Sequence, residues 1–377
     1  MEHYLDNAAT TKPCEAAKRA MIRCVEENYG NPSSLHRKGL DAQHEVDNAR
    51  RIIAKALGCK PQEILFTSGA TESNNLALRG TAARYGKWRK KIVVSGVEHA
   101  SVKQTLRYLR TEGFDITEVM PRTDGLFYAE DFLNVVDKNT CLVSIMLVNN
   151  ENGYRLPVEQ VFRSVKRSFP DVITHCDGVQ GFLKIPFRVR TLQADLISIS
   201  GHKVHGIKGV GALYQKQGVL LNPILFGGHQ ENGVRPGTES VPLIASFGAA
   251  VETLFPTLDD RFAYVSDLKK HLIALLQSMR ELEIQDIPGA SPYVLNISLL
   301  GYRSETVMHF LEKRDIFLSS GSACSKGASS GVLEAFGAND VQVDSMLRIS
   351  FSSENQEEDL LALRQGLEEA QHTLLHK

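Results

Sequence analysis

Ile197-Ser198-Ile199-Ser200-Gly201-His202-Lys203 is an apolar run that ends in a polar turn and delivers one lysine beside a glycine and a histidine. The run reads as a strand, so the lysine stands where a strand gives way to a loop. Partial desolvation and nearby cationic groups can lower a lysine pKa enough for it to form a Schiff base with an aldehyde. Lysines after strands are also ordinary solvated loop residues, so this heptapeptide has to be read with its surroundings. Outward from it, strands are expected near 63 to 67, 92 to 95, 142 to 148, 172 to 176, 195 to 199 and 210 to 214, alternating with helices. Such alternation predicts an α/β fold with a mostly parallel sheet covered by helices on both faces. Ligand sites in open α/β sheets lie where strands end, and the candidate chemical groups cluster there.

Upstream, Val172-Ile173-Thr174 leads into His175-Cys176-Asp177-Gly178-Val179-Gln180, which places a carboxylate at the end of another short strand. A buried Asp there could hold a pyridinium nitrogen, with an attraction of about 4 kcal/mol at roughly 4 Å and an effective dielectric of about 20; it could equally cap a helix. Earlier still, Glu63-Ile64-Leu65-Phe66-Thr67 reads as a strand, Ser68-Gly69 as a turn, and Ala70-Thr71-Glu72-Ser73-Asn74-Asn75-Leu76-Ala77-Leu78 as the start of a helix. Free N–H groups and the helix dipole favour phosphate at such a terminus, and Thr71 adds a hydroxyl. Thr71 and Glu72 acting only as helix caps is the alternative.

The ordered set of motifs resembles the cysteine desulfurases, a branch of the class V aminotransferase-like enzymes that use pyridoxal phosphate (PLP). The resemblance runs from Tyr4-Leu5-Asp6-Asn7-Ala8-Ala9-Thr10-Thr11 to about Arg348. It passes through Tyr29-Gly30-Asn31-Pro32-Ser33-Ser34-Leu35-His36, Phe66 to Asn75, Val148-Asn149-Asn150-Glu151-Asn152-Gly153, Arg235-Pro236-Gly237-Thr238 and Ser320-Gly321-Ser322-Ala323-Cys324. It implies PLP fold type I, like aspartate aminotransferase: a large domain over 13–250 with a seven-stranded type of sheet, and a smaller α+β domain formed by 1–12 and 251–377 that carries the Cys324 loop.

Position by position, the resemblance implies that Lys203 forms the Schiff base with PLP, that Asp177 pairs with the pyridine nitrogen and that Gln180 touches the ring hydroxyl. His99, in Val97-Glu98-His99-Ala100-Ser101, matches a histidine that stacks on the ring and moves protons. Ala70, Thr71, Ser200 and His202 match phosphate-binding positions, and Thr238 matches a threonine that reaches the phosphate of a neighbouring subunit, which implies a homodimer. Asn150 and Arg348 match the groups that hold the carboxylate of L-cysteine. An arginine suits that task because its planar fork binds a carboxylate through two hydrogen bonds. Cys324 would take the sulfur as a persulfide, leave alanine as the other product, and pass the sulfur to an acceptor protein that serves iron-sulfur clusters, tRNA thiolation or a thio-cofactor.

The six cysteines, Cys14, Cys24, Cys59, Cys141, Cys176 and Cys324, contain no Cys-x-x-Cys and no paired spacing, so neither a metal site nor a disulfide framework is expected. Five lie in or beside apolar or helical segments, where a cysteine is a small hydrophobe. Cys324 lies in Ser319 to Gly331, a stretch without a large apolar side chain, and Lys326 nearby favours a thiolate. A linker with an incidental cysteine is the alternative on those residues alone.

The 377 residues exceed one ordinary domain, and 42% hydrophobic residues support a large core. A net charge of −1 gives no sign of nucleic acid or an anionic membrane as a direct partner. No stretch is expected to approach the roughly 20 apolar residues of a membrane span, and the N-terminus does not read as a signal peptide. A reducing cytoplasm is the expected compartment, in keeping with unpaired cysteines. After about residue 250 a long helix is expected over Asp259 to Met279, strands near 293 to 299 and 346 to 351, and a last helix from about 354 to 375 begun by Ser353 and Gln356 as a capping box.

Several residues depart from the family pattern: Pro236 where serine is usual, Ile207 where proline is usual, and Gly178 where alanine is common. The loop after Cys324 reads as slightly short, and the chain is expected to lack the tail that scaffold-dependent members use for docking. Two other readings remain open on sequence: a selenocysteine lyase or other class V PLP aminotransferase or lyase, and a non-catalytic binding subunit of the same fold.

Overall fold

The computed structural model describes residues 2–320 and 331–376. Its thirteen described strands are β1 (His3–Tyr4), β2 (Ile64–Thr67), β3 (Lys91–Ser95), β4 (Asp115–Val119), β5 (Thr140–Met146), β6 (Ile173–Asp177), β7 (Leu196–Ser200), β8 (Gly211–Gln215), β9 (Leu282–Gln285), β10 (Val294–Leu299), β11 (Ile316–Phe317), β12 (Ser319–Ser320) and β13 (Met346–Ser350). Seven of them form one sheet in the order β2-β8-β7-β6-β5-β3-β4. β8 runs antiparallel to both of its neighbours, while every other pairing in the sheet is parallel. The α/β fold expected from the alternating texture is therefore present.

Burial explains why these segments are strands. Every residue of β2, β5, β6 and β7 is buried, as a central sheet with both faces covered demands. Sequence reading located six of the seven strands and missed β4. That strand lies at the sheet edge, and its residues Asp115, Ile116, Thr117 and Glu118 are at most partly buried, so it lacks the apolar run that announces its neighbours.

The helices that cover this sheet enclose a core containing Ile53, Phe132, Phe162, Ile199 and Phe247. A second core joins Leu5 to Leu272, Leu295, Ile349 and Leu363, around a four-stranded antiparallel sheet ordered β12-β13-β10-β9. The N-terminal segment is sewn onto this part: β1 pairs with β11, and Asp6 bridges to Ser350.

Two expectations are corrected here. The last helix runs over Glu357–Thr373, and its first turn is closed by Asp359 Oδ2 accepting from the Gln356 N–H at 3.0 Å; the box is shifted three residues from Ser353 and Gln356, because Gln356 is the residue that keeps extended backbone before the helix. The long helix runs over Leu258–Leu276 and continues from Val241–Leu254 through a short 3₁₀ turn. Taken together, Val241–Leu276 is long and apolar enough by length and composition to cross a membrane, contrary to expectation, and half of its apolar 18-residue stretch is buried inside the protein. Ile244, Phe247 and Val251 account for its apolar character by packing into the main core.

Candidate active site

The C-terminal ends of β2, β5, β6 and β7 converge on one side of the sheet, and a cavity of about 510 Å³ opens there. Register fixes the arrangement: Met146 stands beside Asp177, Asp177 beside Ser198, and Ser200 beside Gly211. Because β8 runs the other way, the loop that leads into it brings Lys208 and Gly209 to the same end of the sheet. Gly211 makes this possible, since a Cβ there would lie 2.7 Å from the Ile199 carbonyl and 2.8 Å from the Gly69 backbone.

Lys203 ends the 3₁₀ turn that follows β7. Its Nζ donates to the carbonyls of Ala8 at 2.7 Å and Ala9 at 2.6 Å, so the N-terminal segment reaches the lysine and aims it into the cavity. Thr11 reinforces that contact by donating to the His202 carbonyl from both N–H and Oγ1. His202 Nδ1 lies 3.2 Å from Thr10 Oγ1. Burial, with Lys203, Lys208 and Lys184 adding to it, pushes the His202 pKa down to about 4.

Asp177, the last residue of β6, is buried with its carboxylate toward the cavity. Oδ2 accepts from Asn74 Nδ2 at 2.8 Å, and Oδ1 from the Val179 N–H at 3.1 Å. Asn74 also donates to Ser101 Oγ at 2.9 Å, and Ser101 Oγ lies 2.9 Å from His99 Nδ1. His99 caps the helix Ala100–Thr111 by accepting from the Ser101 N–H. Burial lowers its pKa, against the raising effect of Asp177.

Ser68, Gly69, Ala70 and Thr71 line the opposite side of the cavity, where the helix Ala70–Tyr85 begins. The first N–H groups of a helix have no intrahelical acceptor and point outward. Glu72 does serve the helix start, accepting from the Ser68 N–H at 2.6 Å, and it also pairs with Arg235 at 2.8 Å. That leaves Ala70 and Thr71 to face the cavity.

Arg348 approaches from β13. It is almost fully buried, with Nη2 3.0 Å from Asp6 Oδ1 and 3.1 Å from Ser319 Oγ, and Nη1 donating to the Asn150 carbonyl at 3.0 Å. Its buried Nε has no hydrogen-bond partner among the described residues.

Of the residues singled out from sequence, Lys203, Asp177, Gln180, His99, Ala70, Thr71, Ser200, His202, Asn150 and Arg348 all line this one cavity. Thr238 does not; it is exposed, away from the cavity of its own chain. Cys324 lies outside the described residues, but the chain departs toward it from β12, whose Ser319 is tied to Arg348 and to Asp6 Oδ1 at 2.7 Å. Sequence reading gave no role to Asn74, Ser101 or Lys184, nor to the carbonyls of Ala8 and Ala9. Asn74 could have been suspected, since it sits one helical turn from Ala70 and so shares its face.

The donor set fits PLP. A primary amine, a buried carboxylate and a helix N-terminus with hydroxyls surround a single cavity, which is what an aldehyde, a basic ring nitrogen and a phosphate each require. Four of the other cysteines are held as thiols: burial raises the pKa of Cys24 to about 11, of Cys59 and Cys141 to about 12, and of Cys176 well above its ordinary value. Among the described residues no group of three or more His, Cys, Asp or Glu side chains could hold a metal ion.

Comparison with known proteins agrees with this geometry. The Aminotransferase class-V family matches residues 3–363. A NifS/IcsS protein homolog of Lactobacillus delbrueckii subsp. bulgaricus is 38% identical over 357 residues, covering 93% of this chain and 92% of the relative. A cysteine desulfurase IscS of Dictyoglomus turgidum is 38% identical over 335 residues, covering 87% and 83%. The solved structure of a NifS-like protein superposes with a TM-score of 0.94 at 35% identity, covering 99% of this chain and 100% of that one. The chain belongs to the class-V aminotransferase family.

Proposed function

We propose that this protein is a PLP-dependent cysteine desulfurase that converts L-cysteine to L-alanine and transfers the sulfur, as a persulfide on Cys324, to an acceptor protein. The observation that carries the reading is the convergence on one cavity of Lys203 from the turn after β7, Asp177 from the end of β6 and Arg348 from β13. The name of a relative at 38% identity, a cysteine desulfurase, supports the same activity.

PLP, when bound, supplies an electron sink that stabilises negative charge at the substrate α-carbon. Lys203 Nζ is the amine that would hold the cofactor aldehyde and, once released, take and return the α-proton. Asp177, fixed by Asn74 and the Val179 N–H, would face the ring nitrogen and keep its proton in place. His99 would lie against the ring, its orientation set by Ser101. Ala70, Thr71, Ser200 and His202 would bind the phosphate, with Thr238 contributed across a homodimer, in keeping with its exposure on this chain. Arg348 and Asn150 would orient the substrate carboxylate, and Gln180 would meet the ring hydroxyl. The large exposed side chains Leu35 and Phe226 suit an interface between copies. We also assign 13–250 and 1–12 with 251–377 as the two domains, supported by the presence of Leu5 in the second core. Unpaired cysteines fit a reducing compartment such as the cytoplasm.

The deciding experiment measures sulfide and alanine released together from L-cysteine by the PLP-loaded protein with a reductant, beside Cys324→Ser. Equal yields that the substitution abolishes are expected. Full sulfide release by Cys324→Ser would remove the persulfide step, and neither product from the parent protein would overturn the activity.

A further inference from the structure

Lys184 is an anomaly in the second layer of the site. It is buried, lies near the cationic Lys203 and Arg348, and has no carboxylate within ion-pair distance among the described residues. Lysines are almost never buried in this way without a carboxylate partner; here Nζ lies 5.9 Å from the centre of the Tyr293 ring. Its hydrogen bond goes to an amide: Nζ donates to Gln180 Oε1 at 2.8 Å. Burial, with Lys203 and Arg348 adding to it, lowers the Lys184 pKa to about 7.

The other end of that amide is equally constrained. Gln180 Nε2 donates to the Ala8 carbonyl at 2.9 Å, and the same carbonyl accepts from Lys203 Nζ at 2.7 Å. The Ala8 carbonyl can only accept and so must face Nε2, which leaves Oε1 to accept from Lys184 Nζ, a nitrogen that carries hydrogens in either protonation state. Held by these two buried groups, the Gln180 amide has its donor end on the Lys203 side and its acceptor end on Lys184. The backbone is bent to achieve this. Leu183, next to Lys184, has φ +54°, in the left-handed region that a side chain such as leucine rarely adopts. The turn keeps Lys184 behind the cavity, where it lines a small internal void together with Lys203 and Tyr293.

We propose that Lys184 is a positioning residue that, through its hydrogen bond to Gln180 Oε1, holds the donor end of the Gln180 amide toward the ring hydroxyl of PLP. The inference rests on the PLP reading above and adds a residue to it. A ring oxygen that carries negative charge needs a donor, so a misplaced amide weakens cofactor binding and alters the electronic state of the ring.

The test is a double-mutant cycle on the full-length protein with Lys184→Met, Gln180→Ala and the pair. Two quantities are read: the dissociation constant for PLP, and the wavelength of the visible band of the bound cofactor. Each single variant is expected to weaken PLP binding about tenfold, the effect of one lost buried hydrogen bond, and to move the band. The pair is expected to match Gln180→Ala alone, because a residue acting through another adds nothing once that other is gone. Independent, additive losses, or a Lys184→Met band identical to that of the parent, would overturn the proposal. The band is read only on folded, loaded protein, and Lys184→Gln, too short to reach Gln180, replaces Lys184→Met with the same expectation if the latter does not fold. Absence of the band from the parent protein would overturn the PLP reading instead.

Discussion

Asn74 and Asp177, 103 residues apart in sequence, are joined by a buried 2.8 Å hydrogen bond from Nδ2 to Oδ2. Asn74 thereby links the helix that presents its N-terminus to the cavity with the strand that presents the carboxylate, and through Ser101 it reaches His99 as well.

Asn74→Ala should therefore damage both fold and cofactor site. Removing a buried donor to a carboxylate costs about 1.5–3 kcal/mol, so the cofactor-free protein should melt several degrees lower and PLP affinity should fall. Calorimetry and PLP titration check this. Unchanged values for both would mean that Asp177 is held by other groups.

Arg348→Lys should raise KM for L-cysteine at least about tenfold while leaving the absorption of bound PLP unaltered. A lysine retains the charge but cannot reproduce the fork that Arg348 extends to Asp6, Ser319 and Asn150. Steady-state kinetics beside an absorption spectrum separates substrate binding from cofactor binding. A KM within twofold of the parent value would remove Arg348 from substrate recognition.

Alkylation of the native protein at pH 8 should spare Cys24, Cys59, Cys141 and Cys176, whose thiols burial keeps protonated. Brief iodoacetamide treatment followed by peptide mass mapping should find the label on the peptide that contains Cys324. Preferential labelling of any of those four would contradict the assigned role of Cys324.

Glu98 supplies a pH signature. It is wholly buried and accepts from Ser95 Oγ and from the Met146 N–H at 2.7 Å, and burial raises its pKa from 4.5 to about 8. A carboxyl whose folded pKa lies above its unfolded one binds its proton more tightly in the native state. Its contribution is complete below about 4.5 and is lost as pH rises toward about 8, a change on the order of a few kcal/mol. Glu98→Gln, which cannot ionise, should flatten the fall in melting temperature between pH 5 and pH 8 and melt higher than the parent at pH 8. Parallel melting curves for the two proteins across that range would refute the assignment.

The cavity residues were legible where a residue type is rare for its setting: a lysine directly after an apolar strand, an aspartate ending another, an arginine inside a third. Asn74 and Lys184 escaped notice because an asparagine in a helix and a lysine in a turn carry no signal until their burial is known. Strand β4 escaped because a half-exposed edge strand needs no continuous apolar run. Thr238 was given a role at another subunit's phosphate, and a single chain leaves it exposed.

By itself the sequence determined the alternation of strands and helices, and with it the mostly parallel sheet and the end of that sheet where the chemistry collects, because hydrophobic period and turn residues are local properties. Only the tertiary structure decided that β8 runs against its neighbours, that the Ala8 and Ala9 carbonyls meet Lys203, and that Lys184 lies behind Gln180. Those relationships join residues as much as 195 positions apart; they arise from packing and from the need to satisfy buried polar groups, which no local pattern encodes.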